Sequence, residues 1–403
     1  MWLCVWGVAV LLATRAGAQT PAAPQPLTLE DALERAVNLN PAIAAARFRR
    51  LASLAGVDVA RERLNPEARI EIEREAPTQA YGLAMPLELG GKRGKRIAVS
   101  EAAVLTSEAE LAQIIAETRN AVRRGYFDRL IAESRLAVLE DLQALATRAR
   151  DAAQQRVDAG DAPRLEVVQA ELALAQAQNE ATGSRGSVVA ARATLNALLV
   201  LPLDAPTPLA TTIEAAPPPL VDTALARAQS ANAELALFDR RLEEQRARIA
   251  LAQSLRTPDV TPEGTITRGQ PEFATGWRVA VAVAVPIFTR YRAGVRLEEI
   301  TLQQIQAERE ATVARIAGDV TSAVAIADAQ RQQFLRYRDQ IIPQAVVAEQ
   351  MAEDSYRLGQ TGIAAFLQAL QASRDLRLRS LQAAADLQAA LVDLERAIGA
   401  SLP

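Results

Sequence analysis

The sequence predicts a mainly α fold with a small membrane β-barrel contribution, assembled from a helix–strand–strand–helix unit that occurs twice. Three observations lead there. Half of the 403 residues are apolar, but alanine dominates and aromatics make up only 4%; such a composition suits long helices packed closely along their length rather than one thick core. The stretch from Thr275 to Arg296, TGWRVAVAVAVPIFTRYRAGVR, sets Trp277, Val279, Val281, Val283, Val285 and Ile287 at every second position, with Arg278, Ala280, Ala282 and Ala284 between them. A period of two gathers the large apolar residues on one strand face, and a face of about ten residues suits one tilted membrane strand while being too short for a membrane helix. The pattern also occurs 200 residues earlier: Tyr81, Leu83, Met85 and Leu87 alternate with Gly82, Ala84 and Pro86, while Pro86, Gly94 and Arg96 stand under Pro286, Gly294 and Arg296.

Residues 1–18 read as a secretory signal peptide. Leu3 to Ala13 is an apolar run too short to span a bilayer, and Ala16-Gly17-Ala18 offers a small-x-small cleavage site before Gln19. Cys4 lies inside this segment, so the expected mature chain carries neither cysteine nor histidine, hence no disulfide and neither of the two commonest soft-metal ligands. No other apolar run approaches the roughly 18 residues of a membrane helix. The net charge of −3, with signs mixed throughout, leaves no nucleic-acid footprint. An exported chain of this kind is periplasmic, released, or an outer-membrane barrel.

The first repeat occupies residues 19–200. After a Pro-rich leader, Thr28 and Asp31 form an approximate capping box, and helical periodicity runs to about Leu64, where Asn65-Pro66 stops it. Two barrel strands follow at about 67–89. In the first, Ala68, Ile70 and Ile72 alternate with Arg69, Glu71 and Glu73; Pro77-Thr78-Gln79 then turns the chain into the second. A long helical hairpin fills 97–199. Its outgoing arm, Ile97 to Asp158, has no proline and one glycine in 62 residues, about 90 Å of helix. Val138, Leu142, Leu145, Ala149 and Ala152 keep a coiled-coil spacing along it. The run Asp158-Ala159-Gly160-Asp161-Ala162-Pro163 makes a sharp tip.

Residues 201–219, with six prolines, read as a linker or irregular equatorial belt. The second repeat, 220–403, restarts the programme: Ala32-Leu33, Arg35-Ala36 and Asn40 stand under Ala224-Leu225, Arg227-Ala228 and Asn232, an offset of 192. Its strands fall at about 259–287 and its hairpin at 295–398. Gly318 and Pro343 interrupt the outgoing arm, Gly359-Gln360-Thr361-Gly362 makes the tip, and Leu387, Leu391, Leu394 and Ile398 repeat the coiled-coil spacing on the return.

Four strands with one lipid-compatible face cannot stand alone in a bilayer, because their edges would leave backbone groups unpaired in hydrocarbon. Copies of the chain must pool strands. Two copies give eight and a filled interior, whereas three give twelve and room for a pore. Arg69, Glu71, Glu73 and Arg278, with small Gly82, Ala84, Ala280, Ala282 and Ala284 beside them, make a polar inner face that favours the trimer. The helices continue from the strands and extend the pore as a helical tube. The rival reading is a soluble periplasmic coiled-coil scaffold, which leaves the strands at matching places in both halves unexplained.

The duplicated unit, the strand–Gly90-Gly91-Lys92-Arg93-Gly94–helix junction and the Ser355-Tyr356-Arg357-Leu358-Gly359 tip resemble the TolC family of outer-membrane efflux proteins. Pro86 to Gly94 is most similar to the heavy-metal branch, the CzcC-like partners of cation exporters. The resemblance covers nearly the whole expected mature chain. It implies a homotrimer with a twelve-stranded barrel in outer-membrane lipid and a twelve-helix periplasmic tunnel, docked on a periplasmic adaptor and an inner-membrane RND-type pump. Drug or organic-compound efflux is the alternative cargo within the family. The resemblance also makes the tips a gate and adaptor contact, carried here by Asp158, Gly160, Asp161 and Glu166 on one hairpin and by Tyr356, Arg357, Leu358, Gly359 and Gln360 on the other. The second tip lacks the acidic constriction of the drug-exporting relatives, since Ala365 and Gln368 occupy its positions. A ring of three Glu166 carboxylates would draw cations at the entrance; an ordinary solvated helix residue is the other reading.

No catalytic constellation or cofactor site stands out. The glycine-rich junction lacks phosphate-loop spacing, and Arg290-Tyr291-Arg292-Ala293-Gly294 replaces it in the second repeat. Glu71 and Glu73 share a strand face without a companion acid. No GxSxG elbow is present, and Met85 and Met351 are too far apart in sequence for a thioether relay. The sequence reads as a passive duct rather than an enzyme.

Overall fold

The computed structural model describes residues 26–210, 213, 215–269 and 275–402; the expected signal peptide and Gln19 lie outside them. In chain order the elements are α1 (Leu29–Leu39), α2 (Pro41–Arg61), β1 (Glu67–Ile72), β2 (Gln79–Ala84), α3 (Lys92–Asp158), α4 (Arg164–Leu198), α5 (Val221–Ala231), α6 (Ala233–Ser254), β3 (Val260–Arg268), β4 (Thr275–Val283), α7 (Arg292–Arg336), a π-helical turn (Tyr337–Ile341), α8 (Ile342–Arg357) and α9 (Ile363–Ile398).

The capping box at Thr28 forms, with the Asp31 N–H donating to Thr28 Oγ1 at 3.1 Å and the Thr28 N–H to Asp31 Oδ2 at 3.3 Å. The single helix expected up to about Leu64 is instead two. Asn40 stays extended, its Oδ1 caps the Ala42 N–H at 2.9 Å, and Pro41 opens α2. Its Nδ2 donates to Leu198 O at 3.3 Å, tying the break to the end of α4. Asn232 repeats the arrangement, capping the Glu234 N–H at 2.9 Å and donating to Ala397 O at 3.1 Å. Both long outgoing arms begin earlier than the periodicity suggests, and Gly318 passes within α7 without interrupting it. The helix instead switches to a π turn just before Pro343, which has no N–H to give an α ladder.

Apolar clusters follow one another along the bundle. Ala32, Ala36, Val122, Tyr126, Leu195 and Leu199 join α1, α3 and α4; Ala224, Ala228, Ile316, Val320, Leu387 and Leu394 join α5, α7 and α9 in the second repeat. Toward the tips, Leu142, Leu145 and Ala149 of the expected seam are buried, with Leu139 and Ala146 on the same face. Each fully buried leucine contributes about 1.5–3 kcal/mol, and small alanines let the axes approach closely. The start of the Pro-rich stretch is strapped down: Asn196 Nδ2 faces the Pro202, Leu203 and Ala205 carbonyls at 2.9–3.2 Å. The Tyr126 hydroxyl lies 3.0 Å from both Leu27 O and Ala210 O.

The strands make one antiparallel sheet in the order β1-β2-β3-β4. Glu67 faces Ala84, Ala84 faces Glu263, and Val260 faces Val283. β1 and β4 are its open edges. The chain exposes 25,232 Å², against about 15,000 Å² for a compact monomer of its mass.

Candidate functional site

Both tips close by the same backbone device. Gly160 (φ 81°) and Gly359 (φ 71°) take the left-handed conformation a non-glycine residue resists. The Gly160 and Asp161 N–H groups return to Val157 O and Arg156 O at 3.0 and 2.8 Å, and those of Gly359 and Gln360 to Tyr356 O and Ser355 O at 3.0 and 2.9 Å. Paired bonds of this pattern satisfy carbonyls that a helix end otherwise leaves open.

The two tips then meet through side chains. Tyr356 is 1% exposed and stacks on Phe366, ring centroids 5.6 Å apart. Its hydroxyl donates to Glu166 Oε2 at 3.0 Å. The Arg156 guanidinium lies 4.9 Å above the Tyr356 ring and 3.7 Å from that same carboxylate oxygen. Burial, then the Glu166 carboxylate, pushes the Tyr356 phenol up to about 12, so it remains a donor. Glu166, only 13% accessible at its side chain, is therefore engaged across the hairpins in this chain. Asp158, Gly160, Asp161, Arg357, Leu358, Gly359 and Gln360 are exposed at the ends. Asp158 accepts from Gln154 at 2.7 Å, and Arg357 lies 3.7 Å from Asp354.

At the other end of the molecule the sheet sorts its side chains by face. Ile70, Tyr81, Ile266 and Trp277 form one cross-strand row, with Leu83 and Val279 in the next row on that face; Trp277 is 81% exposed. Arg69, Gly82, Thr265 and Arg278 form a row on the opposite face, where Arg69 reaches Glu71 and Glu263 at 3.7 and 3.9 Å. Met85 and Leu87 continue the ladder past β2, donating to Pro262 O and Val260 O at 2.9 Å each. Five expected strand residues fall outside the strands of the single chain: Met85 and Leu87 lie past β2, Glu73 just past β1, and Val285 and Ile287 past the end of β4. Pro286 and an edge without a neighbour end the ladder there.

The pattern described as "Outer membrane efflux protein" matches residues 32–199 and 222–400, one block in each repeat. The chain belongs to the outer membrane efflux protein family. This efflux protein is 26% identical over 384 residues to the cobalt-zinc-cadmium resistance protein CzcC of Cupriavidus metallidurans, covering 93% of this chain and 90% of the relative. It is 26% identical over 348 residues to the nickel-cobalt-cadmium resistance protein NccC of Alcaligenes xylosoxydans xylosoxydans, covering 76% and 74%. Among solved structures, the outer-membrane channel OprN superposes with a TM-score of 0.77 at 20% identity, covering 93% of this chain and 90% of that one. CusC gives 0.77 at 16% identity, covering 94% and 93%. VceC of Vibrio cholerae gives 0.75 at 16% identity, covering 93% and 96%.

The efflux protein is thus an outer-membrane channel with a long periplasmic helical extension. Among its described residues, no group of three or more Cys, Asp or Glu side chains is placed to hold a metal ion. Two tip residues escaped the sequence reading, Arg156 and Phe366. Aromatics are scarce in this chain, and Tyr356 and Phe366 bracketing one turn was the available signal. Arg156 offered none, because its partners lie on other helices.

Proposed function

We propose that three copies of this efflux protein close a twelve-stranded barrel and continue it as a twelve-helix tube, the exit duct of a tripartite system that carries heavy-metal cations. The observation that carries this reading is the sheet: four strands, apolar on one face and polar on the other, with both edges open. Unpaired edges are intolerable in hydrocarbon, and three sheets joined edge to edge remove them. Tyr81, Leu83, Met85, Leu87, Trp277, Val279, Val281 and Val283 then face lipid, and Arg69, Glu71 and Arg278 face the lumen.

The cargo follows from the relatives, both named for resistance to cobalt and cadmium together with zinc or nickel. A chain with no histidine and a single cysteine, at position 4, has little soft-metal chemistry of its own. Selection would fall to an inner-membrane RND-type pump, with a periplasmic adaptor seated on the exposed tips. Glu166 clasps Tyr356 while the tips are together, and a carboxylate ring forms only when that contact opens.

Purified in detergent, the channel is expected to run as three chains and to conduct in planar bilayers. A strain lacking it is expected to lose tolerance to zinc, cobalt and cadmium while keeping tolerance to hydrophobic dyes. A water-soluble single chain that leaves liposomes intact overturns the channel; the reverse toxicity pattern overturns the cargo.

A further inference from the structure

The two hairpins of one chain meet at the β2–β3 seam, and that seam is locked where strands give way to helices. Lys92, the first residue of α3, is 8% exposed and places Nζ 2.8 Å from Asp259 Oδ1. The same oxygen accepts the Leu89 N–H at 2.9 Å. Gly90 permits the approach, since a Cβ there would stand 2.7 Å from Thr257. This lock joins repeat one to repeat two rather than a repeat to itself.

The duplication indicates where a second lock belongs. Pro86 stands under Pro286 and the left-handed helix cap Gly91 under the left-handed cap Tyr291, an offset of 200. Pro66 stands under Pro258, an offset of 192. The strand registers agree with both shifts: Glu67 faces Ala84 in the first hairpin, and shifting each residue sets Asp259 against Ala284, one step beyond the observed Val260–Val283 pair and in its register. Arg292 is therefore the counterpart of Lys92, and Glu67 the counterpart of Asp259. The sign of charge is kept at each position. Arg292 follows β4 and Glu67 opens β1, at the two free edges. Both are exposed, and neither makes a side-chain hydrogen bond or ion pair among the described residues.

We infer that the seam between subunits copies the seam within one: Arg292 clasps Glu67 of the partner subunit, and β4 pairs with the neighbouring β1 in the register Ile287–Ala68, Val285–Ile70, Val283–Ile72. The inference rests on the trimeric reading above. Its register sets apolar against apolar on the outer face, and small Ala284 and Ala282 opposite Glu71 and Glu73 of the partner subunit on the inner face. A slip of one residue would reverse every face. It also explains why Val285 and Ile287 lack ladder partners in one chain, whereas their counterparts Met85 and Leu87 find them on β3.

The test uses the full-length channel in detergent, carrying Ala284→Cys together with Glu71→Cys. Facing residues of this non-hydrogen-bonded kind have Cα atoms about 4.5 Å apart, within disulfide reach. Mild oxidation is expected to yield covalent three-chain species, while Ala282→Cys with Glu71→Cys, slipped by two, yields none. Arg292→Glu is expected to raise subunit dissociation about tenfold, and adding Glu67→Arg to restore it. A trimer that cross-links only in the slipped register, or that ignores Arg292→Glu, overturns the clasp and leaves the trimer standing. A chain that stays single in detergent overturns both.

Discussion

The Tyr356 hydroxyl and the Glu166 carboxylate lie 190 residues apart in sequence and 3.0 Å apart in space. Each was legible as a tip residue from its distance to a glycine, but their pairing was not, because nothing in either hairpin records how the two hairpins are set side by side. Tyr356→Phe keeps the stack on Phe366 and removes the bond. A hydrogen bond to a charged group contributes about 1.5–3 kcal/mol, so the open probability of the variant in bilayers is expected to rise about tenfold or more. Glu166→Gln should move it the same way by less, since an amide oxygen still accepts. The phenol pKa also sets the pH window. It is raised from 10.0 to about 12, so the folded state holds the proton more tightly than the unfolded one. Its contribution is complete below about pH 10 and is lost as pH climbs toward 12. Closed-state lifetimes should therefore owe no pH dependence to Tyr356 between about pH 6 and 9 and shorten in strong alkali.

Asn40 and Asn232 show how one element can be read correctly as a repeat and incorrectly as a helix. Their correspondence was visible in the sequence, and Asn40-Pro41 even spelled a stop, yet the apolar spacing continues across both positions and favoured one helix. The deciding contacts come from elsewhere, at Leu198 O and Ala397 O, which only the returned hairpins supply. Helix stops ahead of Pro66 and Pro163 were legible because proline acts locally, whereas both strands read on through Pro86 and Pro286 and in the structure end before them, at Ala84 and Val283. Asn40→Ala is expected to cost about 1–2 kcal/mol through the lost cap, with Asn232→Ala costing a similar amount, both read from urea midpoints of the helical signal. Because the two caps share no contact, the double variant should show the sum within about 0.5 kcal/mol. Asn40→Asp keeps the cap acceptor and loses the amide donor, so it separates the two roles.

At the scale of the molecule, the surplus of exposed surface and the open sheet edges say the same thing as the alternating residues: this chain is one wall segment. The sequence carried the alternation and the polar inner row, which depend on near neighbours, and the duplication, which shows as matches 192 to 200 residues apart. It could not carry the edge that one copy presents to the next. The face assignment can be tested on a single strand, because adjacent residues of β4 point opposite ways. Val281 is exposed among the apolar rows, and Ala282 lies on the face of Arg278. Arginine on a lipid-facing strand near the bilayer midplane costs about 2–4 kcal/mol, whereas the same side chain in a wet lumen stays hydrated. Val281→Arg is expected to cut sharply the yield of folded trimer extracted from the outer membrane. Ala282→Arg should assemble normally and shift conductance toward anions. Equal tolerance at both positions would mean that β4 meets water on both faces, and a strand wet on both sides cannot be part of a membrane wall.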